Sequence, residues 1–155
     1  MSKQVAVEQV VAAPPERVWD LISDVTRMGD WSPEAIGGTW VKGASRPAVG
    51  AKFKGRNKHG KRSWSTSCTV TDAEPGRCFG FDVDAGPLGV ANWSYTIDPN
   101  PDGASCTVTE TWTDRRGMLI TKLGGVLTGV SDRATHNRST MEQTLAALAK
   151  AAEAS

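Results

Sequence analysis

Long apolar runs are missing from this sequence. No stretch approaches the roughly 20 residues a helix needs to cross a bilayer, and Met1–Val7 lacks the apolar core of a signal peptide. A cytoplasmic protein with no segment inserted in a membrane is expected. An excess of charge is missing too. A net charge of +1 argues against general affinity for nucleic acid or anionic membrane, and leaves only local patches to consider. Cysteine is scarce and odd in number. Cys68, Cys78 and Cys106 fall inside strand patterns, with no C-x-x-C spacing and no clustered histidines. They read as reduced core or surface thiols, and no metal site is expected. There is no P-loop, dinucleotide fingerprint, nucleophile elbow or metal-binding helix. Phosphoryl transfer, hydride transfer and metal-assisted hydrolysis therefore have little support, and no cofactor is expected. Tyrosine occurs once and phenylalanine three times, against six tryptophans. Large rings fill cores, and they also line cavities for apolar ligands.

What is present is ordinary globular composition, 39% hydrophobic and 23% charged, in a length that suits one domain. No repeat, low-complexity tract or linker divides it, so residues 1–155 read as a single domain. Val126, Val130, Ala134, Asn137, Met141, Leu145 and Leu148 recur at the spacing of one helical stripe, and Arg138, Glu142, Lys150 and Glu153 hold the opposite side. Such a helix needs a partner surface to be stable in water. Gly117, Gly124, Gly125 and Gly129 precede it, so Met118–Gly129 reads as a separate, loosely held helix, with Ser131 as cap of the main one.

The partner surface lies upstream. Val5, Val7 and Val11 share one parity with Gln9, a first strand. Pro14 and Pro15 suit the first turn of a short helix carrying Val18, Trp19, Leu21, Ile22 and Val25. Asp24–Pro33 reads as a short helical turn ended by breakers, in which Trp31 is either a plug on the nearest helix or part of a ligand mouth. The sheet begins near Ile36 with a bend allowed by Gly37 and Gly38. Phe53 marks the next strand, and period-two alternation then places Trp64, Cys68 and Val70, next Phe79, Phe81 and Val83 on one side of successive strands. It does the same for Ala91, Trp93, Tyr95 and Ile97, and last for Cys106, Val108, Glu110 and Trp112. Turns are marked by His59-Gly60, Glu74-Pro75-Gly76, Gly86-Pro87-Leu88-Gly89 and Asp98–Gly103. The class is α+β. A strongly curved antiparallel sheet of about six to seven strands wraps the C-terminal helix, and two short helices follow the first strand. A gap lined by rings between sheet and helix would be the site.

Within that gap the expected ligand contacts are Trp31, Trp64, Phe79, Phe81, Trp93, Tyr95 and Trp112 from the rings, with Val130, Asn137 and Met141 from the helix. With a pocket hydroxyl such as Tyr95 as the alternative, Glu110 is the first candidate for catalysis. Desolvated among Phe81, Trp93 and Trp112 it would have a raised pKa suited to acid-base work; the alternatives are a pairing with a buried arginine or hydroxyl, or a place at the rim in water. Arg62 and Arg77 sit at strand ends on the ring-bearing parity, within reach of such a carboxylate or on the surface. His136 lies off the stripe and four residues after Asp132, which reads as a partly exposed helical pair more simply than as a catalytic group. Asn137 falls on the stripe, where its amide must find a ligand or a backbone group. Lys52–Arg62 concentrates positive charge on one hairpin, either a partner surface for an anion or protein, or a solvated strand face that discourages edge pairing.

The stretch Ala12–Asp24 followed by Trp31-Ser32-Pro33 resembles the opening of polyketide cyclase/dehydrase-type proteins of the START-like, helix-grip superfamily. Phe53–Asn57, Trp64–Val70, Glu74–Arg77 before Phe79, and Asp132-Arg133 leading to Met141 and Thr144-Leu145 extend the resemblance along the chain. It implies a helix-grip fold and a cavity for a small hydrophobic lipid-, quinone- or polyketide-like ligand. Relatives include lipid carriers, aromatase/cyclases, quinone-binding proteins and proteins that act on macromolecules, so a cyclase or dehydratase activity is implied as an alternative. The pattern is most similar to actinobacterial members, some described as toxin components of toxin and antitoxin pairs. Fold does not settle function among them.

Overall fold

The structure is a computed structural model that describes residues 3–117 and 132–154. The expected class is observed. Strand β1 (Gln4–Val11) leads into α1 (Pro15–Ile22), a 3-10 turn (Val25–Arg27) and α2 (Met28–Trp31). Six strands follow: β2 (Ala35–Val41), β3 (Lys52–His59), β4 (Arg62–Glu74), β5 (Cys78–Ala85), β6 (Leu88–Pro99) and β7 (Cys106–Asp114). The chain closes with α3 (Arg133–Glu153). One seven-stranded antiparallel sheet runs in the order β1-β7-β6-β5-β4-β3-β2, so β2 to β7 form a meander and β1 returns beside β7. This is the helix-grip architecture.

Local chemistry sets the pieces. Pro15 opens α1, where its missing N–H is one no helix would use. Trp19 on the same helix buries its ring and donates its indole N–H to the Cys78 carbonyl at 2.7 Å, which fastens α1 over the start of β5. Bulges at Ala35/Gly37, Val70/Asp72 and Val83/Asp84 bend the strands. At the first of them Ile36 is the extra residue, pushed out to 52% exposure. Gly38 allows the connection to settle on β2, because a Cβ there would lie 2.8 Å from the Val25 carbonyl oxygen and 3.2 Å from the Val25 Cβ. Gly38→Ala is therefore expected to destabilise the fold by about 1–3 kcal/mol, the usual cost of overpacking, as read from urea unfolding midpoints.

Helix α3 buries Asn137, Met141, Thr144, Leu145, Leu148, Ala149 and Ala152 and leaves Arg138, Glu142, Lys150 and Glu153 in water, the stripe expected from its spacing. Its C-terminal end is anchored: the Glu153 carboxylate accepts from the Ala12 N–H at 2.9 Å, and Arg17 donates to the Ala152 carbonyl at 3.2 Å. At the other end the Asp132 carboxylate accepts from the Thr135 N–H at 3.2 Å and caps the helix. One expectation changes. The β5–β6 turn is Gly86-Pro87 alone, because Leu88 and Gly89 already pair with Ala85 and Asp84. Ser131 and the separate helix expected over Met118–Gly129 lie outside the described residues.

Candidate functional site

Because α3 packs on β1 and β7 and meets α1 and α2, the inner face of β3 to β5 looks across open space. That space is a cavity of about 370 Å3. The pleat supplies its walls. Phe53 from β3, Trp64 from β4 and Phe81 from β5 face Trp93 and Tyr95 from β6 and Glu110 and Trp112 from β7. Trp31 closes the α2 side, so it is both a plug, buried at 9% exposure, and a wall of the cavity. Helix α3 contributes Asn137 and Met141. Phe53 was legible only as a strand residue, yet it stacks edge-on against Trp40 and Phe81 at centroid distances of 5.6 and 5.1 Å.

Phe79 is a correction. It shares the parity of Phe81, with its ring 5.9 Å away, but it is fully buried at 0% exposure and does not line the cavity. Two residues along β5 it has passed under α1, where the Trp19 indole holds the Cys78 carbonyl. Val130 lies outside the described residues. Arg62 and Arg77 are exposed and form no part of the lining; Arg77 sits 3.7 Å from Glu74 across its turn.

Glu110 is 2% exposed. Burial pushes its carboxyl up to about 8, against the opposing pull of the Tyr95 hydrogen bond. The Tyr95 hydroxyl donates to Oε2 at 2.7 Å, and burial together with the neighbouring Glu110 holds that phenol well above its ordinary range. The raised pKa favours the protonated carboxyl at neutral pH, and Oε1, the oxygen Tyr95 does not engage, has no partner among the described residues. Asn137 matches it. Its Oδ1 accepts from Arg133 at 3.4 Å, while Nδ2 is buried and unpartnered among the described residues. A largely apolar chamber thus carries two buried polar atoms that no group among the described residues pairs with. Cys68 also lines it, with burial pushing its thiol up to about 11, far from the thiolate a nucleophile requires.

A polar clamp stands at one end of the cavity. Arg133 donates to one Glu34 oxygen at 2.7 Å and its guanidinium lies 5.9 Å from the centre of the Trp64 ring. His136 places Nε2 2.7 Å from the other Glu34 oxygen and meets the His59 ring edge-on at 4.9 Å. The helical pair expected between His136 and Asp132 does not form, since the Asp132 carboxylate is engaged by Thr135. Arg133, His136 and Asn137, at helical spacing, turn one face toward Glu34 and the cavity. Nothing local in the sequence ties Glu34 to Arg133, which stand 99 positions apart. Among the described residues no three His, Cys, Asp or Glu side chains are grouped to hold a metal ion, and no helix is long and apolar enough to cross a membrane.

Comparison with known proteins agrees with this geometry. The chain is similar to a polyketide-cyclase-like protein of Corynebacterium glutamicum, solved by NMR, at 30% identity over 97% of this chain and 91% of that one, TM-score 0.64. It shares its fold with a two-domain aromatase/cyclase, StfQ, from the steffimycin biosynthetic pathway, at 13% identity over 99% of this chain and 51% of that one, TM-score 0.72. The same fold recurs in a major latex-like protein of Panax ginseng, at 9% identity over 98% of both chains, TM-score 0.71. No protein of curated function matches the sequence. The family model described as polyketide cyclase/dehydrase and lipid transport matches residues 2–153. With that span, and with a ring-lined chamber held between a curved sheet and its terminal helix, the chain belongs to the polyketide cyclase/dehydrase and lipid-transport family.

Proposed function

We propose that this protein binds a neutral, largely apolar molecule bearing oxygen acceptors, such as keto, quinone or ester oxygens, between the sheet and α3. The observation that carries this reading is the pair of buried polar atoms, Glu110 Oε1 and Asn137 Nδ2, that have no partner among the described residues in a chamber walled mostly by rings and aliphatic side chains; both donate while Glu110 is protonated. A buried polar group without a partner costs about 1–3 kcal/mol, and a ligand oxygen at each removes that cost. The volume of about 370 Å3 falls within the roughly 300–1,000 Å3 of small-molecule sites. Burying a few hundred Å2 of apolar ligand surface at roughly 25 cal/mol per Å2 supports affinity on the order of micromolar.

Four of the six tryptophans, Trp31, Trp64, Trp93 and Trp112, line the chamber, so their fluorescence reports occupancy. Titration with a neutral naphthoquinone and a flavonoid is expected to give saturable quenching. Affinity should fall as the pH rises through about 8 and Glu110 loses its proton. Asn137→Leu should weaken binding about tenfold by removing one donor. A protein that ignores both molecules, or binds them equally well on either side of that pH, would sink this reading.

A second reading rests on the same carboxyl. An acid that titrates near neutrality, beside a phenol and facing an apolar chamber, is suited to moving protons in the cyclisation or dehydration of a polyketide. Turnover of a polyketide substrate lost in Glu110→Gln, with binding kept, supports it; unchanged turnover removes Glu110 from the chemistry.

A further inference from the structure

Charge is unevenly spread along this chain. Positions 42–62 hold eight of the 18 basic residues and no acidic one, so with a total of +1 the remainder is net −7. Folding makes this tract a surface. Along β3 the exposed Lys52, Lys54, Arg56 and Lys58 alternate with the inward Phe53, Gly55 and Asn57, and the pleat sets them in one row on the outer face of the sheet. The register places Thr69, Ser67, Ser65 and Ser63 of β4 directly opposite them, and Lys52 donates to the Thr69 hydroxyl at 2.9 Å. Ammonium, guanidinium and hydroxyl groups side by side are the groups that hold phosphate oxygens. Lys54, Arg56, Lys58 and Lys61 make no ion pair among the described residues. Two large aliphatic side chains in water flank the row: Ile36 on the edge strand β2, and Val49 in the β2–β3 connection at 69% exposure.

We propose that the outer face of β3 and β4, with the connection before β3, docks this protein on the surface of a membrane rich in anionic phospholipid. Each Lys or Arg close to such a surface adds attraction that dies away within a Debye length, and isolated aliphatics beside a basic face suit the boundary between headgroups and acyl chains. A nucleic acid fits less well. Among the described residues the outward row offers no ring on which a base can stack, and the face is sheet with no helix standing on it to enter a groove. The same two strands present Phe53 and Trp64 to the apolar chamber on their other face, so docking would bring the chamber to the phase in which apolar molecules dissolve. The inference does not depend on which ligand the chamber takes.

The test is sedimentation of the full chain with vesicles. Phosphatidylcholine vesicles containing phosphatidylglycerol are expected to carry the protein down and to release it as salt is raised, while pure phosphatidylcholine vesicles leave it in solution. Lys54→Glu/Lys58→Glu should lower the partition coefficient at least about tenfold. Arg138→Glu/Lys150→Glu, on the wet side of α3, changes net charge equally and should leave partitioning within about twofold. Melting temperatures confirm that both variants fold, and Lys54→Gln/Lys58→Gln gives a milder version of the first. Absence of vesicle binding, equal loss in the two charge-matched variants, or preference for single-stranded RNA over vesicles would overturn the proposal.

Discussion

Phe79→Ala is expected to lower the unfolding free energy by about 3–5 kcal/mol, the range for emptying the site of a fully buried ring, out of a total of about 5–15 kcal/mol for a domain of ordinary stability. The ring has no exposure at all. It touches Phe81 on its own strand and faces Ala73 and Tyr95 across the ladder, and α1 is fastened beside it through Trp19. No neighbour can move into the void without breaking that fastening or the strand register. Phe79→Leu keeps most of the volume and should cost less than about 1.5 kcal/mol. Urea unfolding measures both. Since Phe79 lies outside the chamber, the folded fraction of either variant should bind a quinone with the affinity of the parent. A large loss of affinity with little loss of stability would mean that the ring faces ligand after all.

Between pH 5 and pH 8 the melting temperature of Glu110→Gln is expected to gain roughly 6–12 °C on that of the parent. The unfolded chain releases the Glu110 proton near 4.5, whereas burial makes the folded protein keep it to about 8. A group whose pKa is raised by folding stabilises the native state fully below its unfolded pKa and loses that contribution as pH climbs toward the folded one. Over this window the unfolded state sheds a proton that the native state retains, so the parent loses about 3 kcal/mol. Glutamine does not titrate and can still accept from Tyr95. Calorimetry of both proteins at the two pH values isolates the effect from all other titrating groups. A difference that stays constant would place Glu110 in water with an ordinary pKa.

Both predictions concern inward residues of strands on either side of β6, and they separate what spacing reveals from what it does not. Alternation along β7 put Cys106, Val108, Glu110 and Trp112 on one side, and all four are buried. The helical stripe through Asn137, Met141, Leu145 and Leu148 is equally plain. These follow from local geometry, since a residue's face depends only on the repeat of its own element. Parity alone cannot distinguish Phe79 from Phe81, because the difference is made by α1, a helix some 60 positions away whose Trp19 reaches Cys78. His136 shows the same boundary. Its i−4 neighbour Asp132 was a reasonable partner, but Asp132 was already committed to the helix cap, and Glu34 arrived from the far side of the fold.

The amino-acid order by itself determined the elements, the meander and the inward faces, because each of these is a repeat or a turn read within a dozen residues. Only the tertiary structure decided which inward residues meet open space and which meet one another. It decided also that Glu110 and Asn137 each keep a buried polar atom unpaired among the described residues, since satisfaction of a buried group is a property of everything packed around it rather than of its neighbours in the chain.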